Sequence, residues 1–199
     1  MRKKAPLKHT HRKSSRMNET NKHVLQSGQI KLDWFGASCP ENHFVLSDSG
    51  TDFCFETEVK IAPPSTFPAK PGEYFEGLWE YDVAELFIAA DNSDYYIEIN
   101  LAPNSAWWMM AFSAPRQRFT NFRIDHHDIK TEYLLGIKHW KSSLCIPHGL
   151  LQNILQTDTM RFNVSYILGT PKQYLSYCNL LNAEPNFHIP TQFKNLNRY

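Results

Sequence analysis

Residues 77–108 read GLWEYDVAELFIAADNSDYYIEINLAPNSAWW and set acids and an amide among apolar strand residues. The polar members are Glu80, Asp82, Glu85, Glu98 and Asn100, and three tryptophans, Trp79, Trp107 and Trp108, bracket the segment. Two chemistries fit these types. A pair of carboxyls about 5–10 Å apart can cleave a glycosidic bond, one as acid and one as base or nucleophile. Alternatively, indole rings beside hydrogen-bonding groups can hold a flat-faced ligand without altering it.

The strands that carry these residues decide which groups meet. DNSD, residues 91–94, reads as a hairpin turn with Asn92 and Ser93 as its two loop residues. Glu85 then lies opposite Asn100, and Phe87 opposite Glu98. Side chains alternate along a strand, so Tyr81, Val83, Glu85 and Phe87 share a face with Tyr96, Glu98 and Asn100. The other face carries Ala84, Leu86, Ile88, Tyr95, Ile97, Ile99 and Leu101 and reads as core. Glu85 and Glu98 are diagonal neighbours, about 7–8 Å apart between Cα atoms. That distance permits a glycosidase pair.

Further strands are expected over 30–35, 53–62, 106–113, 133–140, 141–146, 161–168 and 174–178. Residues 62–74, APPSTFPAKPGEY, read as a proline-rich loop that cannot sit inside a sheet. Residues 146–156, IPHGLLQNILQ, have helical spacing of Leu150, Leu151, Ile154 and Leu155 behind Pro147. Many short strands with one short helix predict an all-β, antiparallel β-sandwich. The 199 residues suffice for a single domain over 21–199.

Charge is uneven. Seven basic residues and no acid occupy residues 1–16, so the formal +1 of the whole chain leaves −6 for the rest. The body therefore predicts no nucleic-acid partner. The basic run, taken as 1–20, reads as a disordered tail, and Met17 offers an alternative start to Met1. No apolar stretch follows it, so neither a secretory signal nor a membrane span is expected, which points to a cytoplasmic protein. Reduced thiols are then expected at Cys39, Cys54, Cys145 and Cys178, with Cys54 and Cys178 as core residues.

The motif Trp79-Glu80-x-Asp82-x-x-Glu85-x-Phe87, the Tyr-rich strand ending in Asn100, the run SAPR (113–116) and the terminal NFHIPTQF (186–193) together resemble the DOMON-like group. That group is akin to family 9 carbohydrate-binding modules. The resemblance covers 77–116 and 184–196 in detail and the middle in strand rhythm. It implies an immunoglobulin-like or jelly-roll sandwich that clamps a saccharide between two aromatic side chains, here Trp79 and Phe187. It also implies that Glu85 and Asn100 hydrogen-bond the sugar hydroxyls, with Glu98 and His188 beside them. At Glu98 the sugar-binding modules tend to carry a basic residue.

The resemblance therefore implies a non-catalytic binder of a saccharide or another polyhydroxylated ligand. Two alternatives stand beside it. One branch of the group binds haem through a Met and a His, and Met109, Met110 and His188 supply those types. The other alternative is hydrolysis by Glu85 and Glu98. Asp91, Asn92 and Asp94 are oxygen donors at one turn and weak candidates for calcium. His126 and His127 are adjacent, diverge on a strand, and make a poor metal pair.

Overall fold

The computed structural model describes residues 22–91, 93–157 and 159–196. The basic tail and the alternative start lie outside the described residues. Two antiparallel sheets face each other. The smaller contains β1 (His23–Gly28), β2 (Asn42–Asp48), β3 (Asp52–Val59), β8 (Lys130–Leu135) and β9 (Trp140–Pro147), in the order β1-β2-β3-β9-β8. The larger runs β11-β10-β4-β5-β6-β7, formed by β4 (Val83–Ala90), β5 (Tyr96–Leu101), β6 (Trp107–Ala114), β7 (Gln117–Arg118), β10 (Met160–Leu168) and β11 (Gln173–Ser176). A short β12 (Lys194–Leu196) also pairs with β10. One helix, α1 (His148–Leu155), follows β9 and buries Leu151 and Leu155. The expected all-β sandwich with one short helix is the observed architecture.

Alternation divides the large sheet into two working faces. Ala84, Leu86 and Ile88 of β4, with Ile97, Ile99 and Leu101 of β5, pack against Phe44, Leu46, Phe53 and Phe55 of the small sheet. Each such aliphatic or aromatic side chain contributes about 1.5–3 kcal/mol on burial. A hydrogen bond of 2.9 Å between Thr57 and Tyr166 hydroxyls crosses this core and satisfies both groups. The opposite face carries Val83, Phe87, Tyr96, Trp108 and Phe112. Leu78, Leu180, Phe187 and Phe193 lie over it, so β4 is buried along its whole length. Both faces of a central strand are covered here, which is why VAELFIAA shows little polar alternation.

The β4–β5 hairpin has the register expected from the sequence: Glu85 pairs with Asn100 and Phe87 with Glu98. Asn92 lies outside the described residues, so the register rests on the flanking strands. Trp107 and Trp108 point to opposite faces and both are buried.

Three expectations are corrected. Residues 30–35 form no strand; the Asp33 carboxylate accepts the backbone N–H groups of Phe35 (3.0 Å) and Ala37 (2.8 Å), which turns the chain. Leu32 and Phe35 are exposed as a result. Tyr95 leaves the core face at the end of the hairpin and stacks on Phe119 near the surface. Finally, Cys54 and Cys145 are not free thiols but form a disulfide. The pairing of β3 with β9 sets them directly opposite, with Cα atoms 4.1 Å apart. Cys178 is a buried thiol as expected, and Cys39 is also free.

Candidate functional site

A cavity of about 560 Å³ opens on the outer face of the large sheet. Its floor is made by Glu85 of β4 and Glu98 of β5, and its walls include Trp79, Trp108, Phe187 and His188. The structure thus brings five of the six expected ligand-binding residues to one place. Asn100 is the exception. It is wholly buried on the same face, beside the floor, where its Nδ2 donates to Glu98 Oε1 at 3.1 Å. It orients the carboxyl and does not line the cavity.

Trp79 sits in a single 3-10 turn, Leu78–Glu80, between the proline-rich loop and β4. Gly77 opens that turn at φ +96, a left-handed conformation that favours glycine. Leu78 anchors the turn in the apolar layer, and the indole of Trp79 stands half-buried beside Trp108, ring centroids 5.0 Å apart. Phe187 comes from the terminal segment and packs edge-on against Trp34 at 5.7 Å. His188 follows it and fills the gap between Phe87 and Phe112, at 5.4 and 5.5 Å.

The floor is electrostatically unusual. Glu85 and Glu98 are 3% and 4% exposed, so little water reaches either carboxyl. Burial is the main cause that raises both carboxyls above the usual range. The neighbouring Glu98 charge raises Glu85 further. Ser165 donates to Glu85 Oε2 at 2.8 Å and offsets part of that effect. His188 is pushed down to about 4 by burial and by the nearby Arg116 and Arg118 charges. Protonated carboxyls can donate as well as accept hydrogen bonds, which suits ligand hydroxyls.

Arg116, Arg118, Lys172 and Tyr174 also line the cavity, and sequence reasoning gave none of them a role. Arg116 was visible within SAPR. Lys172 and Tyr174 carry no local signal, because only the fold of β10 and β11 brings them to Trp79. The guanidinium of Arg118 lies 5.0 Å from the Trp108 ring centroid and pairs with Glu76 at 2.5 Å.

The metal and haem candidates are differently placed. Asp91 lies 3.6 Å from Arg161 Nε, and Arg161 also donates to the carbonyls of Ala90 and Ser93. Asp94 is exposed at the same turn. Among the described residues no group of three His, Cys, Asp or Glu side chains converges as a metal site. Met109 faces the core between the sheets, whereas Met110 lies on the cavity's side of the sheet. Both ring nitrogens of His188 face protein groups, Tyr96 and Glu98. His126 stacks on Tyr74 at 4.4 Å.

A smaller hollow of about 350 Å³ lies on the outer face of the small sheet. Its Glu58 is already matched by Lys60 and Lys141, which hold the carboxyl down to about 2. The cavity over Glu85 and Glu98 is the better candidate for a ligand, since its charged groups are less fully matched.

No protein-family model matches the chain. It is 24% identical over 149 residues to the human UPF0462 protein C4orf33, across 68% of this chain and 67% of that protein. Among solved structures it is similar to a proposed carbohydrate-binding protein from Bacteroides uniformis, with TM-score 0.66 and 17% identity, covering 85% of this chain and 84% of the other. It is also similar to a family 9 carbohydrate-binding module from Caldicellulosiruptor kristjanssonii. The complex of that module with cellotriose gives TM-score 0.54 and 13% identity over 85% of this chain and 80% of the module. Its complex with glucose gives 0.53 and 13%, over 84% and 82%. At these identities the likeness is one of fold: the chain has the β-sandwich of the family 9 modules.

Proposed function

We propose that this chain is a non-catalytic carbohydrate-binding domain that seats a saccharide in the cavity between Trp79 and Phe187. The observation that carries this reading is the convergence of those two rings with Glu85 and Glu98 on one cavity of about 560 Å³. A sugar ring has apolar CH faces and a polar rim. Aromatic walls fit the first, and a floor of hydrogen-bonding carboxyls fits the second. The fold shared with modules seen in complex with cellotriose and glucose supports the reading.

The non-catalytic reading is supported by the fold shared with family 9 modules that hold cellotriose and glucose. Glu85 and Glu98 are each oriented by a neighbour, Ser165 and Asn100, as positioned hydrogen-bonding groups. A glycan array followed by titration of tryptophan fluorescence tests the proposal. Saccharide binding that shifts emission and is lost in Trp79→Ala supports it. The proposal fails if no saccharide binds at millimolar concentration. Cleavage of a bound glycan that stops in Glu98→Gln would replace it with a hydrolase.

A further inference from the structure

We infer that the saccharide held in this cavity carries an oxyanion, a carboxylate, sulfate or phosphate, read by Arg116 and Lys172. The inference rests on the saccharide reading above and specifies its ligand class.

Three cationic side chains line the cavity, and they are not equivalent. Arg118 is neutralised by Glu76 and lies over the Trp79 and Trp108 rings. Arg116 and Lys172 have no ion pair within 4.0 Å among the described residues. Arg116 donates to the neutral Asn186 Oδ1 at 3.2 Å, and Lys172 to the carbonyl of Trp79 at 3.2 Å. Both contacts steer the side chains without neutralising them; Glu85 feels the charges of Arg116 and Lys172, and Glu98 that of Arg116, but neither carboxyl is within ion-pair distance. Of the acids on the cavity wall, Glu80 is exposed at the rim, and Glu85 and Glu98 lie in the floor, where burial favours their neutral forms.

The backbone gives a second, independent observation. Ala114 pairs with Gln117, so Pro115 and Arg116 form the two-residue turn between β6 and β7. Arg116 has φ +61, a position at which glycine is the unstrained residue. Its N–H is fixed by the Tyr96 oxygen at 3.0 Å. An arginine in that conformation is held there by its surroundings, and strain of this kind concentrates at ligand sites. A guanidinium matches carboxylate, sulfate and phosphate with paired hydrogen bonds, while an ammonium answers the same charge as a point. A neutral sugar would offer these two cations only hydroxyls.

The test is titration of the full chain with glucose, glucuronate, glucose 6-phosphate and inorganic phosphate. Glucuronate or glucose 6-phosphate should bind at least about tenfold more tightly than glucose, and the advantage should shrink as salt is raised. Arg116→Gly, which suits the left-handed backbone, and Lys172→Gln should each reduce the charged-to-neutral ratio, and together bring it to about one. Trp79→Ala should weaken charged and neutral sugars alike and preserve the ratio. Equal binding of glucose and its charged forms overturns the oxyanion inference alone, as does an advantage that survives both substitutions. Inorganic phosphate binding as tightly as glucose 6-phosphate overturns it in favour of a simple anion site. Failure of all three sugars to bind overturns the oxyanion inference, and failure of every saccharide on the glycan array overturns the saccharide reading beneath it.

Discussion

Tyr96 and His188, ninety-two positions apart in the chain, share a 2.7 Å hydrogen bond between the phenol oxygen and imidazole Nδ1. The same phenol oxygen accepts the N–H of Arg116 at 3.0 Å. The arrangement is satisfied when Tyr96 donates to Nδ1, which places the remaining imidazole proton on Nε2, 3.8 Å from Glu98 Oε2. A histidine whose pKa is lowered thus stands beside a floor carboxyl, Glu98, whose pKa is raised by burial. Each gives the protein a pH signature, and the two have opposite signs.

Lowering the pH should destabilise the protein through His188. Its folded pKa of about 4 lies below the ordinary 6.5, so the unfolded chain takes up a proton first. The penalty develops between about 6.5 and 4 and reaches on the order of 3 kcal/mol. In His188→Gln that pH dependence should vanish, so the variant gains stability relative to the parent as pH falls through this window. Denaturant melts of both proteins from pH 4 to 7 check it, and a constant difference would contradict it.

Raising the pH should act through Glu98. Its folded pKa is raised, so the folded state keeps a proton that the unfolded chain releases above about 4.5. Wild-type stability contributed here is complete below that value and is lost as pH rises toward the folded pKa. Glu98→Gln mimics the protonated acid. Its stability should match the parent near pH 4 and exceed it progressively at higher pH, as measured by melting temperature.

Trp79 and Phe187, the two rings of the proposed site, should separate under mutation. Trp79 is half-buried on a surface turn, so Trp79→Ala should weaken saccharide binding about tenfold to a hundredfold with little change in melting. Phe187 is 7% exposed and packs on Trp34 and Phe87. Phe187→Ala should therefore also lose about 3–5 kcal/mol of folding stability. Calorimetric binding and urea unfolding on both variants distinguish the cases. Equal stability loss in the two would show that Trp79 is a packing residue.

The disulfide between Cys54 and Cys145 joins positions 91 residues apart. Replacing both by serine should lower unfolding free energy by about 2–4 kcal/mol, because the unfolded chain regains the freedom of a long loop. Urea unfolding without reductant, compared with the parent, measures it.

How far the sequence alone reached depended on whether local pattern was enough. The β4–β5 register was legible because a short turn and strict alternation leave few ways to pair Glu85 and Asn100. Alternation also separated Trp107 from Trp108. It failed at residues 30–35, where Ile30, Leu32 and Trp34 alternate but Asp33 captures two backbone N–H groups. The pairing of Cys54 with Cys145 depends on which strand lies beside β3, a long-range choice that no local spacing encodes. For the same reason Lys172 was silent, although it bonds the carbonyl of Trp79. Parity puts Asn100 on the correct face, but the capture of its amide by Glu98 depends on side-chain packing rather than parity.

Strands β4 and β5 carry both the inter-sheet core and the cavity floor, on alternate residues. A saturation scan of these two strands should then resolve into two interleaved phenotypes. Substitutions at Ala84, Leu86, Ile88, Ile97, Ile99 and Leu101 would lower the amount of folded protein, because that face packs against the small sheet. Polar exchanges at Glu85 and Glu98, one residue away, would instead alter what is bound. Specificity on this scaffold can drift by single substitutions while the inter-sheet core stays fixed, so homologues of the same shape need not share a ligand.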